Sequence, residues 1–173
     1  MKICIISDSH DHAILMDKAV AEAKEMGAEV VLHCGDVVAP STMKHLIKHS
    51  LPIHFIHGNN TGDLYTLGHL VTRHKNLLHY YGMDASIEVA DRRIFIVHYP
   101  HYAHAMAVTG DWDLVCCGHN HCANQEQVIN IKGTQTILVN PGTVGGVGNA
   151  PATYILGDLD KMEFVIKYLP KQI

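Results

Sequence analysis

The chain is built around short apolar runs, rich in β-branched residues, that each end in a polar group. The first run, residues 2–7, leads into Asp8-Ser9-His10, and four later runs end similarly. Apolar runs of this length, bounded by glycine and polar residues, predict strands buried on both faces. The polar groups are Asp8-Ser9-His10, Gly35-Asp36, Gly58-Asn59-Asn60, His98 and Gly118-His119-Asn120-His121.

The first third of the chain alternates between strand and helix patterns. Residues 13–26 place apolar side chains on one helical face, and Gly27 follows as a stop signal. Residues 40–49 predict a second helix, with proline in its first turn. With strands at 2–7, 29–33 and 52–56, the order is β-α-β-α-β, which predicts parallel strands with helices packed on them.

The remainder of the chain changes character, because hairpin signals dominate it. We predict strands, one helix and three hairpin turns as follows: strands 86–90 and 93–97 around Asp91-Arg92, helix 101–108, strand 114–117, strands 127–131 and 135–139 around Lys132-Gly133, and strands 153–156 and 163–168 around residues 158–161. A parallel half followed by an antiparallel half predicts two sheets packed face to face with helices outside. No linker or repeat interrupts the pattern, so residues 1–173 are expected to form one α/β domain.

Charge and hydropathy narrow the classes of partner. The formal net charge is −4, and no run of Lys or Arg occurs, so binding of a nucleic-acid polymer is disfavoured. No apolar stretch approaches the ~18 residues of a membrane span, and the N-terminal run is too short for a signal peptide. Five cysteines, without a C-x-x-C pattern, predict reduced thiols and a cytoplasmic protein.

The polar groups offer carboxylate, amide oxygen and imidazole at the strand ends, where ligands bind in open α/β sheets. In extended segments, residues i and i+2 point to one side, so Asp8 with His10, and His119 with His121, can each present two ligands. Most of the remaining histidines among the 15 are expected on solvated helices or loops. Each group alone is compatible with an ordinary turn or helix cap, and only their joint order favours a site.

Seven mixed oxygen and nitrogen donors are too many for one tetrahedral zinc site. They suit two octahedral or five-coordinate metals with one bridging carboxylate. The candidate ligands are Asp8, His10, Asp36, Asn59, His98, His119 and His121.

The order D-x-H, G-D, G-N, lone H and G-H-x-H resembles the calcineurin-like metallophosphoesterase superfamily. The chain length and Asn140-Pro141-Gly142-Thr143 resemble its small bacterial and archaeal phosphodiesterase branch. The resemblance implies an αββα sandwich and a partition of the ligands. It assigns Asp8, His10, Asp36 and His121 to one metal, and Asp36, Asn59, His98 and His119 to the other, with Asp36 bridging.

Three departures from the family pattern bear on catalysis. Asn60 stands where many members place a histidine that orients phosphate and aids the leaving group. The candidate ligand His98 is followed by Tyr99-Pro100-His101, whereas related sequences often have Gly and then His after this ligand. Residues 144–151 contain no Lys or Arg, so the metals are expected to carry most of the anion binding.

We therefore expect hydrolysis of a small-molecule phosphodiester by a metal-bridging hydroxide. Asn60 can donate a hydrogen bond to phosphate but no proton, so water, His101 or His57 is expected to protonate the leaving group. Ser9, Asn120 and Asn140 are candidates for orienting the ligand imidazoles. Two divalent ions are implied, with Mn favoured and Fe, Zn or Ni as alternatives.

Three other readings of the sequence stay open. The same fold could serve as a non-catalytic metal-binding scaffold, because fold alone does not fix function. The substrate could instead be a phosphomonoester or a cyclic nucleotide. A homo-oligomer, dimer or tetramer, is compatible with the pattern, and the sequence does not determine the oligomeric state.

Overall fold

The first strand, Lys2–Ile6, lies inside the six-stranded sheet with both faces covered, as its unbroken apolar sequence predicts. The computed structural model describes residues 1–170. Along them the elements are β1 (Lys2–Ile6), α1 (Ala13–Glu25), β2 (Ala28–His33), α2 (Pro40–Ile47), β3 (Ile53–Phe55), α3 (Leu64–Arg73), β4 (Leu78–Tyr80), β5 (Asp84–Val89), β6 (Arg92–Val97), α4 (Pro100–Thr109), β7 (Leu114–Cys116), β8 (Ala123–Ile129), β9 (Gln135–Pro141), β10 (Thr153–Asp158) and β11 (Glu163–Tyr168).

The strands form two mixed sheets. The first sheet has the order β11-β10-β1-β2-β3-β4, and the second has the order β5-β6-β7-β9-β8. β1 to β4 pair in parallel, and β10 and β11 add antiparallel strands beside β1. In the second sheet β6, β7 and β9 are parallel. The second half of the chain therefore contains parallel pairs beside its antiparallel hairpins, because α4 acts as a crossover between β6 and β7.

Alternating side chains of β1 enter two different cores. Ile3 and Ile5 pack between the two sheets with residues such as Ile96 of β6. Cys4 and Ile6 pack on the opposite face of the first sheet against α1, α2 and α3. A third core lies between α4 and the outer face of the second sheet. The layers are therefore α-β-β-α, and the predicted sandwich is confirmed.

Helix α3 and strand β4 were not predicted. Only Leu67 and Leu70 of α3 are buried, and Gly68 lies in its middle, so its apolar periodicity is weak in the sequence. Asp63 nevertheless caps the helix by accepting a hydrogen bond from the Thr66 N–H at 2.9 Å. β4 has only three residues, and its identity depends on pairing with β3.

The hairpin between β5 and β6 turns one residue earlier than predicted. Val89 pairs with Arg92, so the two turn residues are Ala90 and Asp91 rather than Asp91 and Arg92. Both take left-handed φ values, 51° and 59°. Tight hairpins need this backbone to match the strand twist, and the sequence offers no glycine here to mark the position.

All five cysteine thiols are free, and four of them are buried. Within residues 1–170, no helix combines the length and apolar character that a membrane crossing requires.

His33, the last residue of β2, differs from the expectation of mostly solvated histidines. It is fully buried. Its Nδ1 accepts a hydrogen bond from the Gly35 N–H at 3.2 Å, which leaves the proton on Nε2, 3.3 Å from the Ser9 hydroxyl. That hydroxyl donates to the Asp36 carbonyl at 3.2 Å. A neutral imidazole therefore supports the loop after β2. Burial lowers the pKa of His33 to about 4.

We predict that His33 makes stability depend on pH between about 6.5 and 4. Its folded pKa lies below the unfolded value of 6.5, so the unfolded state takes up the proton first and stability falls as pH falls. The destabilisation caused by His33→Gln at pH 7 should shrink by about 2 kcal/mol at pH 5. Urea unfolding at both pH values, with a chelator present, measures this. An unchanged difference would contradict a buried neutral His33.

Candidate metal centre

The seven candidate ligands come together at one end of the sandwich because they follow strands whose carboxyl ends meet there. β1, β2 and β3 deliver residues from the first sheet, and β6 and β7 deliver residues from the second. Asp8, Asp36 and His98 are buried, whereas the others lie toward the surface. The strand-end argument made from sequence correctly brings these side chains into one cleft.

Most of the candidate ligands sit on an uncommon backbone. Five of the seven have positive φ: Asp8 (51°), His10 (40°), Asp36 (59°), His119 (73°) and His121 (59°). For residues other than glycine, such conformations are sparsely populated and cluster at functional sites. They turn each loop sharply after its strand, so that the side chains face inward over the sheet ends.

One cluster consists of Asp8, His10 and His121. Asp8 Oδ1 lies 3.3 Å from His121 Nε2 and 3.9 Å from His10 Nε2. The two imidazole Nε2 atoms are 3.3 Å apart. Asp36 approaches this cluster through Oδ2, which is 3.5 Å from His10 Nε2. The ligand atoms of Asp8, His10 and His121 lie within 4.8 Å of one another, close enough to surround one ion.

A second cluster lies on the other side of Asp36. Asp36 Oδ1 is 3.4 Å from His98 Nε2, and Asn59 Oδ1 is 3.0 Å from the same nitrogen. His119 Nδ1 lies 2.8 Å from Asn59 Oδ1. Asp8 Oδ1 is also 4.0 Å from His98 Nε2, so Asp8, Asp36 and His98 form a ligating group as well. The two carboxylates thus lie between the clusters.

The chemistry of these donors suits cations. His98 Nδ1 donates to the Cys34 carbonyl at 2.8 Å, so Nε2 carries a lone pair. That lone pair faces two oxygen acceptors, from Asn59 and Asp36. Asp8 Oδ1 is buried, and no group of residues 1–170 donates a hydrogen bond to it. Because facing acceptors and an unsatisfied buried carboxylate oxygen are costly, a divalent cation fits between them.

Glycines allow the loops to approach the clusters. A Cβ at Gly58 would overlap Asp36 Oδ1 and lie 2.7 Å from His98 Nε2, and a Cβ at Gly118 would lie 2.5 Å from Asp8 Oδ2. These two positions therefore require glycine, since any side chain would displace a candidate ligand.

The residues predicted to orient the imidazoles do something different. Ser9 donates to the Asp36 carbonyl, and Asn140 donates to the Gly118 carbonyl at 2.9 Å and to the Asn120 side chain at 2.9 Å. These hydrogen bonds hold loop backbone and each other rather than the ligand rings. That prediction is wrong for all three residues. The Cys34 carbonyl orients His98 instead, and a backbone group gives no sequence signal.

Thr143 also supports the loop that carries Asp8, and the sequence did not predict this contact. Its hydroxyl donates to the Asp8 carbonyl at 2.7 Å, and the next residue, Val144, donates its N–H to the Ser7 carbonyl at 2.9 Å. The segment Asn140-Pro141-Gly142-Thr143 therefore fixes the loop that carries Asp8. Its distinctive sequence was the available signal, although the contact itself depends on the tertiary fold.

Asn60 holds Asp36 rather than pointing into open space. Its backbone N–H donates to Asp36 Oδ1 at 2.9 Å, and its side-chain amide donates to Oδ2 at 2.7 Å. Both oxygens of the carboxylate between the two clusters are therefore oriented by one residue.

The two candidate proton donors occupy different positions. His101 is exposed in the first turn of α4, and its ring centroid lies 5.7 Å from that of Tyr99, which in turn is 4.8 Å from His119. His57 is half-buried, and its Nδ1 is hydrogen-bonded to the Tyr80 hydroxyl. Burial, followed by the nearby His98, lowers the pKa of His57.

Comparison with known proteins places this geometry in context. The calcineurin-like phosphoesterase superfamily domain profile matches residues 1–162. A phosphodiesterase of Methanocaldococcus jannaschii is 30% identical over 168 residues, covering 95% of this chain and 96% of that protein.

Solved structures give the same result for the fold. A structure described as a novel archaeal phosphodiesterase superposes with a TM-score of 0.87 at 29% identity, covering 98% of this chain and 100% of that chain. Zinc-bound Vps29 from Entamoeba histolytica has a TM-score of 0.67 at 16% identity, covering 97% and 91%, and this likeness concerns the fold alone. With its sandwich fold, its clustered ligands and a profile match over most of its length, the chain belongs to the calcineurin-like phosphoesterase superfamily.

Proposed function

We propose that this protein is a dinuclear, metal-dependent phosphodiesterase. The observation that carries the proposal is the position of Asp36, whose two oxygens face histidines of two separate clusters. The name of the 30%-identical relative, a phosphodiesterase, supports the same reaction class.

In this proposal Asp8, His10, Asp36 and His121 hold one ion, and Asp36, Asn59, His98 and His119 hold the other. Asp8 belongs to both ligand groups, and Asp36 reaches His10 of the first cluster and His98 of the second. Asp36 is the better bridge, because each of its oxygens faces a different imidazole. Asp8 approaches both clusters through Oδ1, and its Oδ2 accepts the His119 N–H at 2.9 Å.

When bound, two divalent ions supply an activated water nucleophile and polarise the phosphoryl oxygens. Mn is the favoured ion, with Fe, Zn or Ni as alternatives, because mixed oxygen and imidazole ligands accept all of them. The residues of the chain fix where that chemistry occurs. Asn60 orients Asp36 and is placed at the edge of the centre, where a phosphate oxygen can share its amide.

The Lys and Arg residues that form ion pairs do so away from the carboxylates of the candidate metal centre. Among residues 1–170, the ion pairs formed by Lys and Arg involve Asp17, Glu22, Asp111 and Asp113 rather than the carboxylates of the centre. Substrate charge must therefore be balanced mainly by the ions. A diester carries one negative charge, and a monoester near neutral pH carries close to two. Two divalent ions can balance either charge, so the choice of a diester is supported by the 30%-identical relative, a phosphodiesterase. A cytoplasmic location and a homo-oligomeric assembly remain predictions from the sequence.

We expect Asp36→Asn to lower phosphodiesterase activity by about 100-fold or more, because an amide cannot bridge two ions as a carboxylate does. Bound metal should fall from two ions per chain to one or fewer. Metal analysis and hydrolysis of bis(p-nitrophenyl) phosphate measure both effects. Asp91→Asn, an exposed turn residue at the opposite end of β6, is the matched control. Activity within tenfold of the parent would contradict the dinuclear proposal.

Strong chelation should abolish activity while the fold persists. The ligands lie at the ends of strands whose cores are already buried, so folding does not depend on metal as it does in zinc fingers. Far-ultraviolet circular dichroism before and after chelation, followed by readdition of Mn, Zn or Ni, separates the two roles. Loss of secondary structure on chelation would assign the metals a structural role.

The leaving group should depart with little protonation. General-acid assistance is worth roughly 10²–10⁴-fold, and its absence is felt most by poor leaving groups. A plot of log kcat/KM against leaving-group pKa, over aryl and alkyl phosphodiesters, should therefore have a steep negative slope. A flat plot would contradict unassisted departure.

The same plot, measured for histidine variants, identifies any donor. His57→Ala or His101→Ala would steepen the slope only if that imidazole protonates the leaving oxygen. His104→Ala, an exposed histidine of the same helix as His101, is the control.

A further inference from the structure

A pocket of about 290 Å³ opens directly beside the candidate metal centre. Its inner end is formed by His57, Gly58 and His98. Its walls come from β6 and α4, where Phe95, Tyr102 and Met106 line it, and Met83 lies at its rim. The pocket is therefore bounded by aromatic rings and thioethers rather than by the polar loops of the centre.

The pocket adjoins the candidate metal centre and shares one residue with it. His98 is both a candidate ligand and part of the pocket wall. Gly58 separates the pocket from Asp36 with backbone alone, since a Cβ at this position would overlap the Asp36 carboxylate. A phosphodiester held at the ions can thus place one of its ester groups in the pocket without moving the main chain.

The side chains that line the pocket determine which kind of ester group it can bind. Aromatic and methionine side chains favour a flat ring through edge-to-face and sulfur contacts. The pocket is close to the lower limit of about 300 Å³ for small-molecule sites, so it suits one ring system better than a long chain. Among residues 1–170, Asp84 is the one carboxylate that lines the pocket, and no Lys or Arg lines it, which opposes a second phosphate. His57 offers a polar group to a ring heteroatom or substituent.

We propose that this pocket binds a planar aromatic ester group of the substrate, either an aryl ring or a nucleobase. The inference rests on the proposed phosphodiesterase function and names its substrate class as diesters with at least one aromatic ester. Selection comes from the rings of β6 and α4, and the metal centre binds the phosphoryl group of any diester.

The test compares non-hydrolysable anions that share the same metal-binding head. Methylphosphonate, phenylphosphonate, cyclohexylphosphonate and adenosine 5′-phosphonate are titrated calorimetrically into the Mn-loaded protein. Phenylphosphonate should bind about tenfold or more tightly than methylphosphonate, because one ring is removed from water. Equal binding of the two would overturn the proposal. Cyclohexylphosphonate binding as tightly as phenylphosphonate would also overturn it, because the pocket would then not select a planar ring.

Variants test whether the tighter binding of phenylphosphonate arises in this pocket. Ala105→Phe fills the pocket from α4, and Met83→Asp places a charge at its exposed rim, where the fold tolerates substitution. Each should reduce the phenyl-to-methyl ratio toward one, whereas Tyr168→Ala, an exposed aromatic on β11, should leave it unchanged. A ratio that survives both pocket variants, with circular dichroism unchanged, would overturn the proposal.

The other measurements distinguish a nucleobase from an aryl ring, and they distinguish failure of the pocket proposal from failure of the phosphodiesterase proposal. Tight binding of the adenosine compound would identify a nucleobase, and tight binding of the phenyl compound alone would identify an aryl ester. Calorimetry measures binding without turnover. Tighter binding of the aromatic phosphonates without hydrolysis of any diester would therefore support the pocket proposal and contradict the proposed phosphodiesterase function. Hydrolysis of diesters without tighter binding of the aromatic phosphonates would support the phosphodiesterase function and contradict the pocket proposal.

Discussion

The convergence of hydrogen-bond acceptors at the strand ends is the constraint on which the rest of the site depends. Asp8, Asp36 and His98 bring carboxylate oxygens and an imidazole lone pair within 4.8 Å of one another in a buried position. Such a group is unfavourable without a cation, since burying an unpaired charge costs several kcal/mol. The surrounding structure must therefore hold it in place, and its two sheets do so from both sides.

The left-handed loops show how that holding is achieved. Each non-glycine residue with such a backbone costs on the order of 1–3 kcal/mol, and five candidate ligands adopt it. Hydrogen bonds between neighbouring loops offset part of this cost: Asp8 N–H donates to the Gly35 carbonyl at 3.0 Å, and His10 N–H donates to the Asp36 carbonyl at 3.1 Å. The two cores beneath the loops keep the strand ends fixed, so the strain is retained where the ligands are needed.

The supporting contacts explain why some side-chain roles were misassigned. Sequence reasoning placed Ser9 and Asn140 beside the imidazoles, whereas both bind backbone carbonyls. For Asn60 the structure adds a contact that the sequence did not indicate, since its backbone N–H and its side-chain amide each donate to Asp36. Sequence reasoning gave no special role to His33, which supports the Asp36 loop from within the core. In each case the partner is a group far along the chain, and its position follows from the packing of the strands.

The sequence by itself determined the layer order, the strand ends and the identity of the candidate ligands. Unbroken apolar runs predict strands that are buried on both faces. Polar residues that directly follow such runs lie beyond the carboxyl ends of the strands, where ligands bind. The tertiary structure alone decided which oxygen faces which imidazole, where the Ala90–Asp91 turn lies, and that α3 and β4 complete the first sheet's side of the sandwich. It also decided that an aromatic pocket adjoins His98. These features depend on distances between residues far apart in the chain, which local periodicity and spacing do not encode.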